Sequence, residues 1–279
     1  MRLVSFETDG RRTYGLFRED RVHEATSAFR ASYPDLRLVF TAGKATEIEV
    51  EAKGLAFADV MLLSPIPNPD KIICVGLNYA NHIKETGREK PKYPSIFTRY
   101  PSSVLGSGVP LLKPACSDEF DYEGELAVII GKAGRNIAAS KAKEHILGYS
   151  CFNDGTIRDF QRHTTQFWSG KSFDDTGSMG PWIVTADELP NPENGHLRTV
   201  LNGQEVQTTP IADLAFSIGE IIEYVSTVTR LLPGDVIATG TPGGVGRFRT
   251  PPLYMFEGDR IDVEITGIGT LSNPIASAN

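Results

Sequence analysis

The sequence is short of cysteine, of long apolar runs and of clustered positive charge, and each shortage removes a class of protein. Three cysteines (Cys74, Cys116 and Cys151) in 279 residues are too few, and odd in number, for a disulfide framework. The longest apolar stretches, such as residues 126–130, fall far short of the roughly 20 residues that cross a bilayer. No block of Lys or Arg offers a phosphate track. With 28 Lys+Arg against 35 Asp+Glu the formal charge is −7, so neither nucleic acid nor an anionic membrane surface is expected as a partner. The opening MRLVSFETDG meets charge within a few residues and lacks the apolar stretch of a signal peptide. A cytoplasmic protein is expected.

What remains is ordinary globular composition, 40% hydrophobic and 23% charged, which fits neither disorder nor coiled coil. With 27 glycines and 18 prolines the chain turns often, so long helices should be few. RLVSF, RTYGLFR and RVHEA are short strand-like runs separated by turns. They place a small α+β unit at residues 1–68. MLLSPIPNPDK, with prolines at 65, 67 and 69, reads as its linker. Residues 69–279 form a larger, strand-rich unit, with strand runs at 71–75, 125–130, 181–186, 198–201 and 260–265. The Asn202-Gly203 pair marks a hairpin. One long helix is predicted over 211–231, from Leu214, Ile218, Ile221, Ile222 and Val225 at three- and four-residue steps, stopped by Pro233-Gly234. The fold class is α+β, rich in strand.

The informative chemistry is acidic. In DYEGELAVII, Glu123 and Glu125 lie two apart in extended chain, so both carboxylates project from one face. Like charges that close repel one another and raise a pKa unless a cation sits between them, and Gly124 leaves room for close backbone approach. Asp154 closes a second strand, CFND. Three carboxylates without a nearby Cys or His pair favour Mg²⁺ or Mn²⁺ over zinc; a solvated strand edge is the alternative. Arg158 and Gln161 follow Asp154 by four and seven residues and can share its helical face. An arginine there suits a carboxylate ligand, or else forms a plain surface pair.

In GLNYANHIKETG, Glu85 stands three residues from His82 and can orient the imidazole as a base, although such pairs are also common on surfaces. Lys171, in SGKSFDDTGSMGPW, is predicted to lie in a loop. Beside a metal it would stabilise an enolate or oxyanion; otherwise it is a solvated lysine. TGTPGGVG lacks the GK[ST] of a P-loop, Ser102 and Ser103 lack a GxSxG setting, and Cys74 and Cys151 sit in core-like apolar runs.

In this order, from about residue 71 to 274, the motifs resemble the fumarylacetoacetate hydrolase family, with EGELAVIIG, NDGTIRD and TGTPGGVG carrying the likeness together. The resemblance implies a mixed β-sandwich or β-roll catalytic domain behind a variable N-terminal domain. It also implies a Mg²⁺- or Mn²⁺-dependent site in a homodimer. It puts Glu123, Glu125 and Asp154 on metal-ligand positions and His82 and Glu85 on a catalytic dyad in a lid segment. Lys171 falls on the catalytic lysine, and Arg158, Gln161 and Thr241 fall on substrate contacts. Arg99 stands where many relatives carry the lysine of an FxK pattern and is grouped with the substrate contacts. The implied substrate is a small 2-oxo acid. The implied reaction is C–C hydrolysis of a 2,4-dioxo acid, an acylpyruvate such as fumarylpyruvate, to pyruvate and a carboxylic acid in aromatic catabolism. Decarboxylation of an oxaloacetate-type acid, or isomerisation of a hydroxy-dienedioate, is the alternative. Arg99, Arg162 and His163 are the candidates for a distal carboxylate.

Overall fold

Residues 1–85, 87 and 89–278 are described by a computed structural model. The chain opens with an antiparallel meander, β1 (Arg2–Thr8), β2 (Arg11–Arg18) and β3 (Arg21–Glu24), followed by two short helices, α1 (Ser27–Ser32) and α2 (Leu36–Thr41). Then come β4 (Ile72–Gly76), α3 (Ala80–Glu85), β5 (Ser95–Arg99), β6 (Leu111–Lys113), β7 (Gly124–Ile130) and β8 (Ile146–Asn153). Two one-turn helices, α4 (Arg158–Gln161) and α5 (Trp168–Lys171), lead into β9 (Gly177–Thr185), β10 (His196–Leu201) and β11 (Gln204–Pro210). The chain closes with α6 (Ile218–Val228), β12 (Val236–Ala238), β13 (Arg260–Ile265) and β14 (Gly269–Ser277).

Two sheets carry the architecture. The larger runs β3-β2-β1-β9-β8-β7-β12-β4-β5, and the smaller runs β11-β10-β13-β14-β6. β1 pairs with β9, Leu3 opposite Ile183, so the N-terminal meander extends the sheet that also holds β7 and β8. The proline-rich segment is packed down: Ile66 is buried, and Ser5 Oγ donates to Pro65 O at 2.7 Å.

β7 explains the layering. Alternate residues of a strand point to opposite faces. Leu126, Val128 and Ile130 enter one core with Ile221, Ile222 and Val225 of α6 and with Val263 and Ile265 of the smaller sheet. Ala127 and Ile129 enter a second core with Leu36, Val39 and Phe40 of α2. A strand covered on both faces needs an unbroken apolar run, and each such aliphatic side chain contributes about 1.5–3 kcal/mol by burial.

The helix predicted over 211–231 is shorter. Residues Ile211–Asp213 form a single 3₁₀ turn, and α6 starts only after Ser217, whose hydroxyl and Glu220 form a capping box. The intervening N–H groups are taken elsewhere: Ala215 N–H donates to Asn78 O and Phe216 N–H to Asn78 Oδ1, both at 2.7 Å. The Asn202-Gly203 hairpin forms as read, with φ of 51° and 80°. Among the described residues no helix is long and apolar enough to cross a membrane.

Candidate active site

The site is built where β7 begins and β8 ends. These strands are antiparallel with Gly124 opposite Asn153, which brings Glu123, Glu125 and Asp154 together. Their carboxylate oxygens lie within 4.8 Å of one another and all three residues are buried. The frame around them is tight. A Cβ on Gly124 would meet Thr199 Oγ1 at 2.1 Å. Asn153 Oδ1 accepts the Glu123 N–H at 3.0 Å, and Glu123 O accepts the Asp154 N–H at 2.8 Å.

Three cations face them. Lys171 Nζ donates to Glu123 Oε2 and to Asp154 Oδ2, both at 2.6 Å. Arg99 Nη1 donates to the other Asp154 oxygen at 2.6 Å. Arg158 Nε donates to Asp121 Oδ2 at 2.7 Å and Nη1 to Gln161 Oε1 at 3.1 Å. Its Nη2 stands 2.7 Å from Glu123 Oε1, close enough for an ion pair but off the hydrogen-bond axis. Glu125 accepts only a main-chain donor among the described residues, the Gly240 N–H at 2.8 Å.

The electrostatics follow from that inventory. Burial pushes Glu123 upward, but Lys171 and Arg158 outweigh it and hold the carboxyl below its ordinary value. Burial pushes Lys171 down, yet Asp154 and Glu123 keep it above the usual lysine value, so it is a fixed positive charge. Glu125 goes the other way: burial, then the Asp154 and Glu123 charges, push it well up. Four buried carboxylates (Asp121, Glu123, Glu125, Asp154) face three buried cations (Arg99, Arg158, Lys171). Were all seven ionised, one negative charge would be left over, and Glu125, which no cation pairs among the described residues, is the group that must give it up to a proton or share it with a metal ion. An all-oxygen donor set with a surplus negative charge fits a hard divalent cation such as Mg²⁺ or Mn²⁺.

The other expected residues take definite places. His82 is buried and lines a cleft of about 690 Å³ together with Glu123, Glu125, Arg158, Lys171 and Thr241. Its Nδ1 lies 2.9 Å from Glu85 Oε2, and Gly244 N–H donates to Glu85 Oε1 at 3.0 Å. Partial burial raises Glu85, but those two contacts hold it below its ordinary value. Gln161 also lines the cleft. Thr241 Oγ1 donates to Gly124 O at 3.0 Å and accepts from Gln207 Nε2 at 2.8 Å.

Three placements differ from the sequence reading. Lys171 ends α5 and is 1% exposed, not a loop lysine. Asp154 lies beyond the end of β8 and shares no helical face with Arg158, because α4 starts at Arg158 itself. Arg99 does not line the cleft. It is 2% exposed behind Asp154, held also by Gly155 O, Ser103 and Thr176, so its guanidinium faces protein acceptors and not the cleft. Of the candidates for a distal carboxylate, Arg162 pairs with Glu119 at 3.0 Å and His163 packs on Phe160 with ring centroids 4.6 Å apart.

Sequence reasoning missed Asp121, which accepts Arg158 Nε together with the Gly246 and Arg247 N–H groups. It reads as one more acid in a polar stretch. Leu77 at the cleft wall has φ of 56°, a left-handed conformation that a leucine does not advertise.

A model of the fumarylacetoacetate hydrolase C-terminal domain matches residues 71–276. The chain belongs to the fumarylacetoacetate hydrolase family. Among curated relatives of the family, the oxaloacetate tautomerase YisK of Bacillus subtilis (strain 168) is 45% identical over 224 residues, covering 79% of this chain and 74% of that one. Solved structures agree along the full chains. A 5-carboxymethyl-2-hydroxymuconate delta-isomerase from Mycobacterium smegmatis aligns at 34% identity with a TM-score of 0.83, covering 100% of both chains. A maleylpyruvate hydrolase from Sphingobium sp. SYK-6, in complex with manganese(II) and pyruvate, aligns at 29% identity with a TM-score of 0.83, again covering 100% of both. The chain is an enzyme of this family, with its strand-rich α+β fold.

Proposed function

We propose that this enzyme interconverts the keto and enol forms of a 2-oxo dicarboxylic acid of the oxaloacetate kind by moving a proton at C3. The observation that carries the reading is one cleft lined both by the buried Glu123/Glu125 pair and by an oriented His82. The tautomerase name of a relative at 45% identity and the isomerase name of a full-length structural neighbour support this alternative over C–C hydrolysis.

Glu123, Glu125 and Asp154 would hold Mg²⁺ or Mn²⁺; a manganese complex of one structural neighbour supports that choice of metal class. Once bound, such an ion supplies Lewis-acid stabilisation of negative charge on the substrate's 2-oxo oxygen. Arg158 and Gln161, both on the cleft wall, would bind the adjacent carboxylate. Glu85, kept ionised by its two donors, accepts the Nδ1–H of His82 and so leaves Nε2 as the free base. His82 Nε2 takes the C3 proton and returns it to oxygen, which completes the exchange. Lys171 stays protonated between Glu123 and Asp154 and therefore serves as fixed charge, not as the base.

The test follows the enol absorbance of oxaloacetate, with a parallel assay for pyruvate. Enol decay should be accelerated, abolished by EDTA and restored by Mg²⁺ or Mn²⁺, while pyruvate appears far more slowly. His82→Gln should cost about 10²–10⁴-fold in rate, the usual worth of a general base. Pyruvate release keeping pace with enol loss would make the enzyme a decarboxylase, and faster cleavage of an acylpyruvate would return it to the hydrolases.

A further inference from the structure

Among the described residues, the cleft holds one cation with no ion-pair partner. Lys171 is engaged by Glu123 and Asp154, Arg162 by Glu119, and Arg158, given above to the carboxylate beside the 2-oxo group, by Asp121 and Glu123. Arg247 also lines the cleft, and among the described residues its guanidinium makes no hydrogen bond or ion pair; Nη1 is shut off from solvent without a partner. The stem of this arginine is nonetheless fixed. Its main-chain N–H donates to Asp121 Oδ2 at 3.0 Å and the preceding Gly246 N–H donates to Asp121 Oδ1 at 2.8 Å. The same carboxylate holds Arg158. Gly246 has no room to become another residue, since a Cβ there would lie 1.8 Å from Leu253 O. Beyond Arg247, the Phe248 ring stands 5.7 Å from its guanidinium carbon and meets the His82 ring edge-on at 6.1 Å. Arg247 is therefore an anchored guanidinium on the His82 side of the cleft, and a partly buried donor without an acceptor is costly until one arrives.

The geometry points to Arg247 as the specificity-determining residue that takes the distal carboxylate of a 2-oxo dicarboxylic acid. A planar guanidinium matches a carboxylate in two parallel hydrogen bonds. The inference rests on the proposed keto–enol reading for the kind of acid, but not for the reaction performed on it.

The experiment is a binding titration on the Mg²⁺-loaded enzyme with two unreactive ligands. One is 3,3-difluorooxaloacetate, which keeps both carboxylates and has no C3 proton to lose. The other is oxalate, which has no distal arm. Arg247→Gln should lower the affinity for difluorooxaloacetate relative to oxalate by about tenfold or more, the worth of a charged hydrogen bond, and Arg247→Lys should recover part of that ratio. An unchanged ratio overturns the assignment. So does an equal loss of both ligands, which would mean that Arg247 acts on the site only through Asp121. Where Arg247→Gln does not fold, the Arg247→Lys ratio against the parent decides the same question. A parent enzyme that binds difluorooxaloacetate through Arg247 yet leaves enolic oxaloacetate untouched would refute the proposed reaction and not this assignment.

Discussion

Arg99 is a cation used as scaffolding. Its guanidinium donates to Asp154 Oδ1, Gly155 O, Ser103 and Thr176, with both partners of the ion pair at 0% side-chain exposure. Removing one partner of a buried pair leaves the other charge stranded, at a cost of about 3–5 kcal/mol. Arg99→Met should therefore lower the unfolding free energy by that order when measured in denaturant with EDTA present. The loss should shrink in saturating Mn²⁺, because an ion held by Asp154 would neutralise the same carboxylate. A residue that merely contacted substrate would raise KM and leave the denaturant midpoint where it was. An arginine at the end of FTR is visible in the sequence, but its carboxylate partner lies 55 residues away. The acids were plainer. Glu123 and Glu125 share a face by strand period alone, and Asp154 joins them because β7 and β8 pair in antiparallel register.

Elements were legible where periodicity decides and illegible where long-range hydrogen bonds do. The run in β7 announces a doubly covered strand, and the Asn-Gly hairpin announces itself. The start of α6 does not follow from its apolar spacing, since Asn78 captures the backbone of residues 215 and 216; the Ser217–Glu220 capping box was the available signal and outranks the spacing. The N-terminal elements are stapled by one acid. Glu24 on β3 accepts from Arg11 and Thr13 of β2, each at 2.6 Å, and from Arg30 of α1. Burial raises its pKa, but Arg11, Thr13 and Arg30 together bring it below the ordinary 4.5. A carboxylate depressed in the folded state contributes stability that is full above the unfolded value and is lost as pH falls through the folded one. Thermal unfolding should thus show a destabilising acid limb beginning near pH 4.5, of which Glu24 supplies about 1 kcal/mol. In Glu24→Gln that share should vanish, leaving a flatter limb and a lower plateau at neutral pH. An unchanged slope would mean that Arg11 and Arg30 contribute nothing through this residue.

At the scale of the molecule, the unpaired carboxylate is a load on the fold as well as the feature on which the proposed metal site rests. Glu125 sits at the floor of the cleft with only 1% exposure, no cation pairs with it among the described residues, and its two charged neighbours are fixed by Lys171 and Arg99. The folded chain then gathers three carboxylates that the unfolded chain keeps apart, and a divalent ion should bind the first far more tightly than the second. Linkage converts that difference into stability: at a free ion concentration 100-fold above Kd the gain is about 2.7 kcal/mol. At roughly 2–4 °C per kcal/mol for a chain of this size, Mn²⁺ or Mg²⁺ should raise Tm by ~5–10 °C over the EDTA-treated protein, with the rise growing logarithmically with ion concentration. Asp154→Asn should lose most of that rise, because it removes a ligand while leaving β7 and β8 paired. If the parent melts at one temperature in EDTA and in saturating Mn²⁺, or if Asp154→Asn keeps the full shift, the three carboxylates do not hold the ion, and the leftover charge must be met by a proton on Glu125.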